Sequence, residues 1–254
     1  MMAFAPELLA FLTSQLWEGF VVFIRVGALV ALLPAFGERS LPARVKLVVA
    51  GAFTLIIAPA VEIDASEISL PAAVLSETIV GVALGLGVRL FIMALQTAGA
   101  IAAQSTSLSQ ILGGAAVEPL AAIGYVLMIG AIALAVMANL HVKAAALIIF
   151  SYEVLPAGVF VNGADLSAWG VDQIRRAFSL AFTLAAPFVL ISVLYNLCLG
   201  AINKAMPQLM VAFVGAPVIT AGGLLVLCLA SPIILTVWMQ ALDAFLAAPF
   251  EAVP

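Results

Sequence analysis

Four charged side chains within apolar stretches are the residues of this sequence best placed to do chemistry: Glu18, Arg25, Glu77 and Arg89. A charge inside a bilayer is costly, so such a residue marks either a structural pairing or a path for ions. Glu18 and Arg25 stand seven residues apart. That spacing puts them on one helix face but roughly 10 Å apart along the axis, too far for a direct ion pair.

Arg25, Glu77 and Arg89 are our candidate buried structural charges. Glu77 could be neutralised by a basic group on another helix, could lie at the membrane interface, or could belong to an ion pathway. We expect structural pairing. Arg89 falls in the middle of a long apolar segment, from which its side chain cannot easily reach water. We therefore expect Arg89 to be buried against a partner subunit.

Residues that could support catalysis or bind a metal are sparse. The only histidine, His141, stands beside Asn139 and Lys143, and this cluster is more typical of a helix break at the membrane interface than of a proton relay. No Gly-x-Ser-x-Gly elbow or His-Glu-x-x-His motif occurs, and the two cysteines are isolated. We expect no catalytic residue, no metal and no cofactor, and an intramembrane enzyme is the least favoured function.

The composition is that of an integral membrane protein. Hydrophobic residues make up 66% of the 254 residues and charged residues 9%, whereas about a quarter of a soluble protein is charged. The mean hydropathy is +1.30, so lipid must cover the apolar surface. The net charge of -4 is spread without a run of either sign, which gives no support to nucleic acid as a partner.

The pattern predicts an all-α, polytopic membrane protein with one domain over residues 1–254 and five or six apolar helical segments. The segment around Asn139 is interrupted, and we expect a broken or hairpin element there. Asp172 suits the start of a helix that runs to about residue 201. Pro217, Gly222, Gly223 and Pro232 interrupt the last region, which predicts a bent or re-entrant pair. The approximate segments are 8–33, 45–61, 70–103, 120–150, 172–201 and 209–246.

The third segment, 70–103, is longer than one bilayer crossing requires, so it must tilt, kink or project beyond the lipid. It is rich in small residues. Gly81 and Gly85 form a small-xxx-small motif, and Gly99 follows on the same segment. We expect these three glycines to allow close packing of helices. The polar stretch that follows, residues 104–119, is predicted to be a loop.

Basic residues favour the cytoplasmic side of a membrane. The strongest cluster is Arg39, Arg44 and Lys46, in and after the first loop. It places this loop inside and the N-terminus outside.

Several short motifs occur in order along nearly the whole chain. They are Arg25-Val26-Gly27, Leu33-Pro34-Ala35-Phe36-Gly37, Leu41-Pro42-Ala43-Arg44-Val45-Lys46, Gly81-x3-Gly85-x3-Arg89, Asn139-Leu140-His141, Leu155-Pro156 and Ala205-Met206-Pro207-Gln208-Leu209. Taken in this order in a chain of this length, the motifs closely resemble the FliR family of type III secretion export-gate subunits.

The resemblance implies a non-enzymatic subunit of the flagellar protein export gate in the bacterial inner membrane, at the flagellar basal body. FliR-like proteins assemble with FliP-like and FliQ-like subunits into a right-handed helical gate, which unfolded export substrates cross. Much of that gate is raised out of the ordinary membrane plane. Further implied contacts are other membrane proteins of the export apparatus and lipid, and no nucleic acid is implied.

The resemblance also implies that residues 105–114, within the loop 104–119, plug the closed pore. Leu108, Ile111 and Leu112 would form the apolar seal, and Gly113 and Gly114 the hinge. Aliphatic side chains suit such a role because a hydrophobic constriction can exclude water and ions by dewetting. An ordinary loop between two helices is the alternative.

Two other functions remain open. One is the homologous gate subunit of a virulence-type secretion system, which has the same architecture and different cargo. The other is a small-solute secondary transporter, for which broken helices and intramembrane charges are usual. A transporter of that kind predicts an internal two-fold repeat, and the halves of this sequence show no convincing correspondence.

Overall fold

The computed structural model describes residues 4–38, 40–63, 68–107, 122–206 and 211–250. Within these ranges the chain is almost entirely helical, as the composition predicted. It forms α1 (Phe4–Val30), α2 (Ala43–Ile57), a 3₁₀ turn (Ala58–Ala60), α3 (Leu70–Ser107), α4 (Ala122–Met137), α5 (Leu140–Val154), α6 (Gly163–Ala205) and α7 (Val211–Ala247).

Most of these helices are long and apolar enough to cross a bilayer. Among the described residues, five single helices qualify, and the broken pair of α4 and α5 provides a sixth candidate. A hydrocarbon layer of about 30 Å requires about 20 residues at 1.5 Å per residue. The protein is therefore a multi-pass, all-α membrane protein, which confirms the fold class and the five or six segments predicted from the sequence.

The break between α4 and α5 falls at Asn139, as the polar cluster predicted. Asn139 has a positive φ of 61°, and asparagine is one of the few residues that adopt this left-handed conformation readily. Its carbonyl oxygen accepts the backbone N–H groups of Val142 and Lys143. Asn139 thus separates the end of α4 from the start of α5.

The helix expected to start at Asp172 starts earlier, so that prediction was wrong. α6 begins at Gly163, where the side-chain Oδ1 of Asn162 accepts the backbone N–H of Ala164 at 3.0 Å. Asp165 occupies the first turn. Asn162 and Asp165 together supply the cap and the negative charge that helix N-termini favour, and Asp172 lies well inside the helix.

The bent or re-entrant pair expected near the C-terminus is also absent from the described residues, where α7 is one helix from Val211 to Ala247. Pro217 and Pro232 lie within it. A proline removes one backbone hydrogen bond, but in lipid the remaining bonds cannot be exchanged for bonds to water. The helix therefore continues through residues that would often end it in a soluble protein.

The chain divides into two compact units that alternate along the sequence. Unit 1 comprises Met1–Leu90, Val136–Gln173 and Asp243–Pro254, and unit 2 comprises Phe91–Ala135 and Ile174–Leu242. In unit 2, the buried Trp238 donates its indole N–H to the carbonyl oxygen of Phe91 at 2.8 Å. The expectation of a single domain stays a prediction.

Three glycines of α3 lie where a neighbouring helix or the turn after it leaves no room for a side chain. A β-carbon at Gly81 would collide with the carbonyl oxygen of Arg25 in α1. One at Gly85 would lie 2.9 Å from the β-carbon of Leu32. In unit 2, a β-carbon at Gly99 would collide with the backbone of Gly124 in α4. These contacts match the close helix approach that small residues permit in membranes.

We expect the Gly81→Ala substitution to destabilise the protein by about 1–3 kcal/mol, because the added methyl group must displace backbone of α1. The matched control is Gly51→Ala in α2, where a β-carbon would meet nothing within 4 Å. Alanine has the higher helix propensity, so the control variant should be neutral or slightly stabilised. Thermal unfolding of both purified variants in detergent measures the difference, and equal melting temperatures would refute the packing argument.

A buried ion-pair network as the candidate functional site

Arg25 and Glu77 form an ion pair in the interior of unit 1. Arg25 extends from α1 and Glu77 from α3, and both side chains are completely buried. Arg25 Nε donates to Glu77 Oε2 at 2.8 Å, and Nη2 donates to Oε1 at 3.3 Å. The carboxylate is thus contacted by two guanidinium nitrogens, the arrangement that gives such pairs their strength and directionality.

The remaining contacts of the Arg25 guanidinium come from α5 and the residue that follows it. Nη1 donates to Ser151 Oγ at 3.0 Å, and Nη2 also donates to the carbonyl oxygen of Leu155 at 2.9 Å. The guanidinium carbon lies 3.7 Å from the centroid of the Tyr152 ring, a cation–π contact that is stronger away from water.

Glu77 is held by two further donors. The Tyr152 hydroxyl donates to Oε2 at 3.1 Å, and the backbone N–H of Gly158 donates to Oε1 at 2.9 Å. Gly158 adopts a positive φ of 74°, and a β-carbon there would lie 2.9 Å from the side chain of Ile68. Only glycine suits this position, because both its backbone conformation and the nearby side chain exclude a larger residue.

The network therefore satisfies both buried charges with each other and with neutral polar groups. A buried charge without such partners would cost several kcal/mol. The four contributing segments are α1, α3, α5 and the turn after α5. The geometry suits a fixed junction between these segments, and it places Glu77 with a basic group on another helix, the pairing favoured on sequence grounds.

Arg89 differs from the other two candidate buried charges within this chain. Its side chain is 29% exposed, and its Nη1 lies 3.9 Å from Glu38 Oε1, which is equally exposed. A pair of this length and exposure contributes little to stability. The chain alone thus leaves Arg89 partly uncovered, and its burial against a partner subunit stays a prediction.

A second ion pair joins Lys143 of α5 to Asp243 of α7. The Nζ–Oδ1 distance is 2.6 Å, and the side chains are 34% and 42% exposed. Lys143 lies in the first turn of α5 and Asp243 near the end of α7. Each charge is therefore at the helix end where the helix dipole opposes it, and their mutual attraction offsets this cost.

The sequence pointed to Arg25 and Glu77 but missed their neutral partners. Ser151, Tyr152 and Gly158 carry no charge, and they follow Glu77 by more than seventy residues. The available signals were a tyrosine, whose hydroxyl needs a partner when buried, and a glycine just after Leu155-Pro156. Neither signal identifies the charged residue that the group contacts.

Other predicted positions lie outside the described residues. These are all five residues of the expected seal and hinge: Leu108, Ile111, Leu112, Gly113 and Gly114. Across the ranges that the structure does describe, no group of three or more His, Cys, Asp or Glu residues could hold a metal ion. Glu18, the remaining charge noted in the sequence, accepts a hydrogen bond from Gln15 Nε2 at 3.1 Å.

The helices and the buried network define a multi-pass helical membrane protein with a pair of charges, Arg25 and Glu77, inside unit 1. Residues 16–245 match the family described as bacterial export proteins, family 1, and the chain belongs to this family. Flagellar biosynthetic protein FliR of Caulobacter vibrioides is 33% identical over 237 residues, covering 90% of this chain and 94% of that protein. FliR of Escherichia coli K12 is 29% identical, covering 87% of this chain and 89% of that protein.

We expect Arg25→Met to lower the free energy of unfolding by about 3–5 kcal/mol, because it leaves the Glu77 carboxylate buried without its counter-charge. The double variant Arg25→Met/Glu77→Leu should recover part of that loss, since it buries no unpaired charge. Unfolding of the two variants and of Glu77→Leu in detergent completes the cycle. If the double variant loses as much as the two single variants added together, the charges do not interact as the structure indicates.

We expect the exchanged pair Arg25→Glu/Glu77→Arg to be less stable than the apolar double variant. A carboxylate at position 25 would face the carbonyl of Leu155, and a guanidinium at position 77 would face the N–H of Gly158. The matched control is Lys143→Asp/Asp243→Lys, whose exchange brings each charge into agreement with its helix dipole. The free energy of unfolding of this control variant should stay within about 1 kcal/mol of that of the original protein. Recovery of full stability by the first exchange would show that backbone polarity is irrelevant to the network.

Proposed function

We propose that this protein is a non-enzymatic subunit of the flagellar type III protein export gate in the bacterial inner membrane. One observation carries the proposal: the similarity to flagellar biosynthetic proteins FliR extends over about nine-tenths of both sequences in the Caulobacter vibrioides comparison. The family match over residues 16–245 includes all or most of every described helix, so the similarity is not confined to a single segment.

Helix length supports a place in a larger assembly. α3, α6 and α7 contain 38, 43 and 37 residues. At 1.5 Å per residue they are about 55–65 Å long, roughly twice the thickness of the hydrocarbon layer. Tilt alone accommodates so large an excess poorly. Neighbouring subunits that cover the projecting parts would remove the mismatch.

The exposed apolar surface of the chain also supports contact with neighbouring membrane subunits. In the most apolar windows of α6 and α7, only 28% and 22% of the residues are buried inside this chain. Lipid can cover such a surface, and so can the helices of other membrane proteins. We infer that FliP-like and FliQ-like subunits contact part of it, and that unfolded export substrates pass through the complete gate.

The buried charges of unit 1 support a structural role over a transport or catalytic one. Arg25 and Glu77 are saturated by fixed partners and have no contact with solvent. A proton or ion carrier must exchange its ligands, and a secondary transporter places such groups at an accessible site. A virulence-type gate remains the nearest related function, and the flagellar names of the relatives favour the flagellar gate. The plug at residues 105–114 stays a prediction.

We expect deletion of the gene to abolish secretion of flagellar proteins and swimming motility in the organism of origin. An affinity-tagged copy should restore both and should retain FliP-like and FliQ-like proteins when membranes are solubilised in mild detergent. Immunoblots of the culture medium and mass spectrometry of the purified complex are the measurements. The control is an equally abundant tagged membrane protein from the same cells.

Three results would count against the proposal. Normal flagellar secretion in the deletion strain would exclude an essential gate subunit. Loss of virulence-effector secretion with intact flagella would assign the protein to the related secretion system. Recovery of the tagged protein alone, from cells that express the expected partners, would favour a separate transporter.

A further inference from the structure

α2 and the 3₁₀ turn that extends it have the length of one bilayer crossing. Together they run from Ala43 to Ala60, 18 residues, or about 27 Å, close to the hydrocarbon thickness of about 30 Å. No charged residue occurs between Lys46 near the start and Glu62 just beyond the end. α2 thus lacks the excess length of α3, α6 and α7, and it can cross lipid without mismatch.

The residues at both ends of this span are of the types that lie at membrane surfaces. At one end, Lys46 donates to the carbonyl oxygen of Gly37, in the loop after α1, at 2.9 Å. At the other end, Ile63, next to Glu62, packs against the same buried residues as Trp17 of α1. Basic residues favour the cytoplasmic border of a membrane, and tryptophan is enriched at membrane interfaces. These two borders give α2 a defined depth in the bilayer.

One face of α2 packs on the chain, and the rest of the helix is uncovered. The buried residues are Ala50, Thr54 and Ile57, and only 17% of the span is buried inside the chain. Close helix contacts in membranes favour small residues, whereas the side chains on the uncovered face are mostly large and aliphatic. Those that are 64–78% exposed are Leu47, Val48, Leu55 and Ile56.

The glycine on the uncovered side of α2 does not form a helix-packing motif. Gly51 is flanked, four residues away in each direction, by Leu47 and Leu55. A small-xxx-small motif such as Gly81 and Gly85 of α3 has two small residues at that spacing, which lets another backbone come close. The two leucines would hold a second helix away from Gly51, whereas acyl chains can fit around them. The sequence of this face therefore favours lipid over a partner helix.

Arg44 lies at the end of the same face. It precedes Val48 by four residues and Leu55 by eleven, so the three side chains project from one side of α2. Arg44 is exposed, and the ion pairs among the described residues do not include it. A guanidinium at the border of an apolar face is complementary to the phosphate of a phospholipid, which it can bind through two parallel hydrogen bonds.

We propose that lipid covers the exposed face of α2 and that Arg44 binds the phosphate of an anionic phospholipid at the border of this face. An anionic headgroup is favoured over a zwitterionic one because its net negative charge attracts a basic side chain near the membrane surface. The inference rests on the membrane fold of unit 1 and goes beyond the proposed export function.

The first test places a photoreactive benzoylphenylalanine at position 48 or 55, both on the exposed face of α2. The full-length protein is used, in cells that express the export apparatus, so that other subunits are available for capture. Ultraviolet light should yield phospholipid adducts at both positions, which mass spectrometry of the purified protein identifies. A discrete adduct with another protein at either position would overturn the proposal, because a partner would then cover the face. Co-purified FliP-like and FliQ-like proteins bear on the proposed function alone, since lipid adducts are expected with or without them.

The second test measures the affinity of the purified protein for phosphatidylglycerol by titration and native mass spectrometry. Arg44→Gln should weaken binding about fivefold, as expected for the loss of one basic residue near an anionic surface. The matched control, Lys46→Gln, removes an equal charge from a side chain that is already bonded to Gly37. It should change the affinity less than about twofold. Equal losses in the two variants would show a general charge effect without a site at Arg44, and an unchanged affinity in Arg44→Gln would exclude Arg44 from lipid binding. Either result overturns the assignment of Arg44.

Discussion

The Arg25–Glu77 ion pair is the contact on which the arrangement of unit 1 depends. Neither side chain could remain charged in a dry interior without the other, and both need additional hydrogen bonds to offset the loss of water. Those bonds come from Ser151, Tyr152 and the turn at Gly158. Three helices and one turn must therefore meet at a single point, which restricts their packing far more than apolar contact does.

Sequence patterns predicted the helices of this protein better than their ends and their contacts. Run length and hydropathy are local properties, and they identified the apolar segments and the break at Asn139. The start of α6 was misplaced because Asn162 supplies its cap before the apolar run begins. The continuity of α7 was missed because rules for proline come mainly from helices in water, where freed backbone groups can be solvated. The partners of Glu77 were missed because their pairing is long-range.

The buried polar groups of this chain differ in whether the chain itself supplies their hydrogen-bond partners. The polar groups around Arg25 find their hydrogen-bond partners within unit 1. The buried hydroxyl of Tyr195 in unit 2 has no hydrogen-bond partner among the described residues. It lies on α6, and only 28% of the most apolar part of that helix is buried inside this chain.

The turn at Gly158 has a consequence for the order of events during biosynthesis. Gly158 follows its acceptor Glu77 by 81 residues, which a ribosome adds in about 4–16 s at about 5–20 residues per second. Until that turn emerges, the nascent chain holds a carboxylate that its own later part has not yet enclosed. Arg25 is already in the chain when Glu77 is made, so the two charges can pair first. The donors from Tyr152 and Gly158 complete the network only after more than half of the chain has been translated.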